Sequence, residues 1–528
     1  MRLKEVLSVL SKSSPYAVST ERKQAISKSL DDLKDYLYIK TEIEDDFRQY
    51  LTALSPTDKK IIFLCGSSGD GKSEILTRYS RDFSTRAKFH LDATHSFSPS
   101  DNAIQTLDHL FSEFESGSHP LVVGINIGML SNYAEEGDVE SIKEAIKLFL
   151  EGKETDSNFI FLDFESYPKF ELNAEGHASS FAKSILEKIT APNENIIRQY
   201  FDMELQAIDK DKKLCTNYQL LSLPEVQDRI IDILFKARLM KDQFLTARTL
   251  LDFINTLLAG DSYLFDNLFE PSDNELSSKI VEFDPSNLRT SNIDKFILSL
   301  SLGLLDEEFD EYASFLSSEF GIRRTKNPYS YLRLFYLLKD TDLGNGYHKK
   351  FSFDFSESLL DRYSKTWNLH NKYDGNPEDK KSLRLFYRDT LIAAIHRYNN
   401  RNATNLDKGQ FLISSHNGYQ VVTEVDIKPD LNNIRTKKES SPSTFTAFVK
   451  LNDKTVEVPV NINLLNLMES IVNGYRPNKH DKNTVVLLDE FADELSQIAA
   501  HSKTLLIVRG NKHYKVSQVD EDIEVSGV

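Results

Sequence analysis

The chain has 528 residues, 40% of them hydrophobic and 27% charged, a normal composition for a folded globular protein with room for about three domains. Its net charge of −17, from 64 basic and 81 acidic residues, argues against broad, sequence-independent wrapping of nucleic acid, which runs on phosphate neutralisation by Lys and Arg; a local basic patch stays open. Two cysteines, Cys65 and Cys215, cannot build a disulfide framework or a metal cluster, no apolar leader follows Met1, and no run nears the roughly 18 apolar residues of a membrane span, so the expectation is a cytoplasmic protein without a membrane segment.

Residues 1–55 read as a helical lead-in, with Leu33, Leu37, Ile43, Phe47 and Leu51 at helix-like spacing among charges, closed by Pro56. Residues 56–175 alternate strands, expected at 61–65, 88–92, 121–126 and 159–163, with helices at 73–83, 102–115 and 138–151. Continuous apolar strands separated by helices imply an α/β domain, a parallel sheet with helices on both faces. Residues 176–400 lose the strand signal. Helical periodicity at 181–186, 226–240 and 244–258 predicts a helical lid and a large α-helical region. Residues 401–528 read as a small α+β C-terminal domain, with strands at 411–413, 444–450, 455–458, 485–488 and 504–508 and a helix at 491–500.

The most informative stretch begins on the first expected strand. Ile61-Ile62-Phe63-Leu64-Cys65 runs into Gly66-Ser67-Ser68-Gly69-Asp70-Gly71-Lys72-Ser73-Glu74, which holds the phosphate-loop spacing G-x-x-x-x-G-K-S. Glycines allow successive backbone N–H groups to point at an anion, and the following helix adds its positive N-terminal end. Lys72 is expected to reach the β- and γ-phosphates of ATP, and Ser73 to ligate Mg²⁺. The fold class expected is therefore a P-loop NTPase. The bland alternative is an ordinary strand-to-helix turn.

Hydrolysis needs a carboxylate at a neighbouring strand end and a group that orients water. Asp163 and Glu165 follow the apolar run Phe159-Ile160-Phe161-Leu162, and Asp92 ends the strand after the loop. Asp489-Glu490 looks similar by letters, but it lies more than 400 residues away and is better taken as the capped start of a helix after a strand. Asn126, at the tip of 121–126, is placed to sense the γ-phosphate or is an ordinary turn or cap residue. Arg248, at the start of an amphipathic helix, is placed to reach from the lid to the same phosphate or to be an ordinary surface arginine. Arg323-Arg324-Thr325-Lys326 is the densest basic run. It is either a solvated face or a patch for DNA or a neighbouring subunit's nucleotide, which keeps a homo-oligomer open.

The loop segment 66–76, Asp92-Ala93-Thr94-His95-Ser96-Phe97 and Val123-Gly124-Ile125-Asn126-Ile127-Gly128-Met129-Leu130 together resemble the DptF (DndF) family of DNA phosphorothioation-dependent restriction proteins. Leu7-Ser8-Val9-Leu10-Ser11-Lys12-Ser13-Ser14 and the chain length are also similar to that family, so the resemblance spans the chain. The loop is generic; the other two segments make the match specific. The resemblance implies an ATP-using motor, switch or assembly component of bacterial defence. With partners of the DptG and DptH type, it would restrict DNA that lacks the phosphorothioate modification. Only the loop, Gly66 to Ser73, carries over residue by residue. No nuclease core is evident: Glu171 and Glu175 lie near Lys169 without the strand such a core requires. The alternatives are an ATP-dependent switch or scaffold without DNA contact, and a signalling ATPase unrelated to DNA.

Overall fold

The computed structural model describes residues 2–11, 28–93, 102–173, 176–271, 275–304, 307–356, 359–403, 406–407, 409–437, 441–478, 481–510, 512–519 and 522–527. Lys12 to Ser14, Thr94 to Phe97 and Glu175 lie outside these. The chain divides into two compact units. One joins Met1–Phe170 to Ser179–Ser356, and the other joins Glu171–Ala178 to Glu357–Val528.

The first unit opens with helices α1 (Leu3–Leu7), α2 (Lys28–Leu37) and α3 (Glu42–Ala53). Then come β1 (Ile61–Gly66), α4 (Lys72–Phe83), β2 (Lys88–His90), α5 (Ala103–Ser116), β3 (Leu121–Asn126), α6 (Ile127–Glu136), α7 (Glu140–Leu150) and β4 (Phe159–Asp163). The four strands form one parallel sheet in the order β2-β3-β1-β4. β1 is buried along its whole length because both faces of the sheet are covered. Ile61, Phe63 and Cys65 face a core built with Leu107, Phe111, Leu130, Tyr133, Ile142 and Ile146 of α5, α6 and α7. Ile62 and Leu64 face the opposite core, with Ile43 and Phe47 of α3 and Ile75 and Leu76 of α4. Each such aliphatic or aromatic side chain contributes about 1.5–3 kcal/mol on burial. This two-sided burial is why the strands read as unbroken apolar runs rather than as alternation.

One local expectation shifts: β2 ends at His90 instead of continuing to Asp92; of the two ordinary roles open to Asn126, turn or cap, it takes the cap, of α6.

After β4 the chain leaves the first unit for the hairpin β5 (Glu171–Asn173) and β6 (Gly176–Ala178), which belongs to the second. It returns at α8 (Ser180–Thr190) and runs through α9 (Ile196–Gln206), α10 (Lys212–Leu221), α11 (Pro224–Met240) and α12 (Ala247–Ala259) into further helices. Their core is strongly aromatic: Phe296 packs edge-on against Phe309, Tyr331, Phe335 and Phe351. Tyr331, Phe335 and Tyr336, which follow the basic run, are buried core residues. Arg324 itself pairs with Asp310 and lies over Phe309.

The second unit carries a five-stranded antiparallel sheet and a three-stranded one. The unit boundary falls at Ser356/Glu357, so the helical run expected at 176–400 is shared between the two units. One expected strand is corrected: Val485 to Leu488 lie inside the helix Lys482–Ala500. Leu488, Phe491, Ala492, Leu495, Ile498 and Ala499 are buried at helical spacing, whereas Val486 is exposed. The helical period thus begins before Asp489, so Asp489 sits inside a helix instead of capping one, and its carboxylate accepts a 2.6 Å bond from the Tyr398 hydroxyl.

Candidate functional site

Parallel register lines up the strand ends. Gly66 pairs with Asn126 and Cys65 with Asp163. His90 pairs with Val123, and the Ala93 N–H donates to the Gly124 carbonyl at 3.0 Å, which holds Asp92 at the same edge. Along the carboxyl edge of the sheet the order is therefore Asp92, Asn126, Gly66, Asp163. This is the edge where open parallel sheets place ligands.

The glycine-rich loop rises from β1 and closes on α4. Gly69 has φ +85° and Gly71 φ +107°, values that glycine adopts without the Cβ clash. Gly69 also has no room for a side chain: a Cβ there would meet Arg248 Cβ at 2.9 Å and Thr246 Oγ1 at 3.0 Å. The Arg248 N–H donates to the Gly69 carbonyl at 3.2 Å, and Thr246 caps α12 by accepting from the Thr249 N–H. The first turn of α12 is thus docked directly on the loop. The Arg248 guanidinium donates to the Ser11 carbonyl. Burial pulls its pKa below the ordinary value, with Asp252 one turn along opposing that.

Lys72 Nζ donates to the Gly66 carbonyl at 2.9 Å and to the Ser67 carbonyl at 2.6 Å. Burial lowers its pKa, while the charges of Asp70 and Asp92 work the other way and that of Lys169 adds to the fall. A half-buried ammonium held by neutral carbonyls attracts anions, since its charge is only partly screened. Ser73 follows it in the first turn of α4.

Asp163 is half-buried, and one of its oxygens accepts from the Glu165 N–H at 3.2 Å. Burial pushes its carboxyl above the usual range, with the Asp70 charge adding to the shift and the Glu165 N–H and Lys72 opposing it. Asp92 and Asp163 therefore both share an electrostatic neighbourhood with Lys72.

Asn126 is an N-cap: its side-chain oxygen accepts from the Met129 N–H at 2.7 Å. Capping uses the oxygen and leaves the amide N–H groups as donors at the strand tip.

Two sequence candidates are engaged elsewhere. The Glu165 side chain is half exposed and lies 3.5 Å from Arg238 of α11. Glu74 is paired to Lys34 of α2 at 2.7 Å and to Arg78 at 2.9 Å, which ties α4 to α2. Asp489 belongs to the other unit.

Through Asp70 of the loop, Lys169, weighed in the sequence only beside Glu171 and Glu175, joins the site. Asp70 is buried within the loop, and its Oδ2 accepts from the Ser67 N–H at 2.7 Å. Its Oδ1 pairs with Lys169 Nζ at 2.8 Å, and Lys169 is itself nearly buried. Lys169 lies six positions beyond the end of β4, on the crossover that leaves the sheet's carboxyl edge. That position behind a strand end was the available signal. Among the described residues no group of three or more His, Cys, Asp or Glu side chains converges as metal ligands.

Comparison with protein-family models, with curated proteins and with solved structures gives no match. The described residues contain no helix long and apolar enough to cross a membrane.

Proposed function

We propose that this chain is a P-loop ATPase that binds ATP with Mg²⁺ at the loop 66–73. The observation that carries the proposal is the loop itself: between a buried parallel strand and a helix N-terminus, with two left-handed glycines, it brings Lys72 among its carbonyls and is clasped by the start of α12. Backbone N–H groups of the loop and of the N-terminal turn of α4 would hold the phosphates, with Lys72 as the cation. Ser73, Asp92 and Asp163 are the oxygen-bearing groups that would surround Mg²⁺ and its water, where the metal would neutralise charge developing on the phosphates. Asn126 and Arg248 would supply donors to the terminal phosphate from the strand tip and from the docked helix.

The work this ATPase serves is proposed from the resemblance of 66–76, 92–97 and 123–130 to the DptF (DndF) family. The chain would act with DptG- and DptH-type partners to restrict DNA that lacks phosphorothioate modification, with its nucleotide cycle governing assembly or movement of the complex. The acidic net charge favours contact with DNA through partners or a local patch. An ATP-dependent switch or scaffold without DNA contact is the second reading, supported by that same charge.

Steady-state ATP hydrolysis tests the enzyme class. Turnover is expected in the wild type, with a loss of about a hundredfold or more in Asp92→Asn or Asp163→Asn and none in Asp489→Asn. Loss confined to Asp489→Asn contradicts the proposed site. Co-purification with DptG- and DptH-type proteins tests the partner assignment; a chain recovered without them counts against it.

A further inference from the structure

The loop holds a carboxylate where an anion is to be bound. Asp70 is 8% exposed and lies between the two glycines that shape the loop. Its Oδ2 occupies the Ser67 N–H at 2.7 Å, and Gly66 has no space for a Cβ because that same oxygen would lie 2.9 Å from it. A carboxylate in this position braces the loop, but its charge opposes any phosphate brought near. The structure meets the charge with a cation from 99 residues further along the chain: Lys169 Nζ sits 2.8 Å from Asp70 Oδ1. Lys169 also lies 5.1 Å from the Phe164 ring centroid and 5.9 Å from that of Phe181, faces that favour the ammonium. Its backbone carbonyl accepts from the Ser179 hydroxyl at 2.6 Å, and Ser179 caps α8, which pins the stretch.

We propose that Lys169 is a positioning residue of the phosphate site: it neutralises Asp70, so that the carboxylate braces the Ser67 N–H without repelling phosphate. This rests on the nucleotide reading of the loop. With Lys169 present, the loop carries two ammonium groups against one carboxylate. Without it, one ammonium, Lys72, faces one buried carboxylate, and the net attraction of the two charges for phosphate disappears. An asparagine at position 70 keeps an oxygen for the Ser67 N–H and carries no charge, so it removes the need for Lys169.

The test is equilibrium binding of a fluorescent ATP analogue with Mg²⁺ to the full chain. The proteins are the wild type and the Lys72→Ala, Lys169→Met, Asp70→Asn and Asp70→Asn/Lys169→Met variants, each with its Tm recorded. Lys169→Met is expected to bind at least tenfold more weakly than wild type at a temperature well below its Tm. The double variant is expected to return to within about threefold of wild type. Unchanged affinity in Lys169→Met overturns the proposal, and so does a double variant as weak as Lys169→Met. A merely structural lysine would lower Tm and leave affinity below the transition intact, which also overturns it. If the wild type and Lys72→Ala both fail to bind, the nucleotide reading falls and takes this one with it; if Lys72→Ala alone loses binding while Lys169→Met keeps it, only this proposal falls.

Discussion

Single residues set the geometry of the loop. Gly69 combines a left-handed φ with contacts below 3.1 Å to any added Cβ, so Gly69→Ala strains the backbone and pushes α12 away at once. A cost of about 1–3 kcal/mol is expected, read as a fall in the midpoint of urea unfolding. A midpoint unchanged from wild type contradicts the docking of Arg248 and Thr246 on the loop. Lys72 is a second case. Its half-buried ammonium is held by carbonyls and disfavoured by its surroundings. Lys72→Met is therefore expected to raise Tm while removing nucleotide-induced stabilisation, the usual opposition of function and stability at a site. A Tm lowered by several degrees would point to a structural lysine. The spacing of Gly66, Gly71, Lys72 and Ser73 made the loop legible from letters alone. Lys169 was not legible in its role, because nothing local links it to Asp70 across 99 positions; only the parallel pairing of β4 beside β1, which ends both strands at one edge, brings them together. Glu74 and Glu165 show the converse. They lie at the expected places, but Lys34, Arg78 and Arg238 take their carboxylates.

At the level of elements, β1, β3 and β4 fall within a residue of their expected ends, because β1 and β3 are buried along their length and the edge strand β4 is partly covered, so all three read as apolar runs. The same rule misled at Val485 to Leu488. A short apolar run is ambiguous between buried strand and helix, and here the burial of Leu488, Phe491, Ala492 and Leu495 continues a helical period through it. The distinction is testable. Val486 is half exposed and Leu488 is 1% exposed. Val486→Glu is expected to change stability by no more than about 0.5 kcal/mol, and Leu488→Ala to cost about 2–5 kcal/mol. Equal, large losses at both positions would favour a strand buried on both faces. Strand order was not readable either. That Asn126 stands between Asp92 and the loop follows from the order β2-β3-β1, which depends on long-range packing.

Over the whole molecule, the division into units departs from the run of sequence character. Glu171–Ala178 is a hairpin of the second unit that falls in sequence between β4 and α8 of the first, and the helices split at Ser356/Glu357. Helical periodicity is the same on both sides of that point, so composition carries no mark of it. The second unit has its own pH signature. The His370 ring is buried against Phe445, with centroids 4.3 Å apart, and Nδ1 bonds the Thr366 carbonyl. Burial lowers its pKa from 6.5 to about 4, so the imidazole stays neutral in the folded state. Unfolded chains take up that proton below 6.5 and the folded one does not. Stability is therefore present above pH 6.5 and is lost as pH falls toward about 4, by up to about 3 kcal/mol. His370→Phe is expected to flatten the pH dependence of unfolding followed by a probe in the second unit. A slope unchanged by that substitution removes His370 as its cause.

Calorimetric titration of Mg·ATP into the 528-residue chain reads nucleotide binding at the loop most directly. The wild type is expected to bind one equivalent saturably, and Lys72→Ala to bind at least about a hundredfold more weakly, the loss of a charge-assisted contact to phosphate. No binding by the wild type, or equal binding by Lys72→Ala, would contradict it.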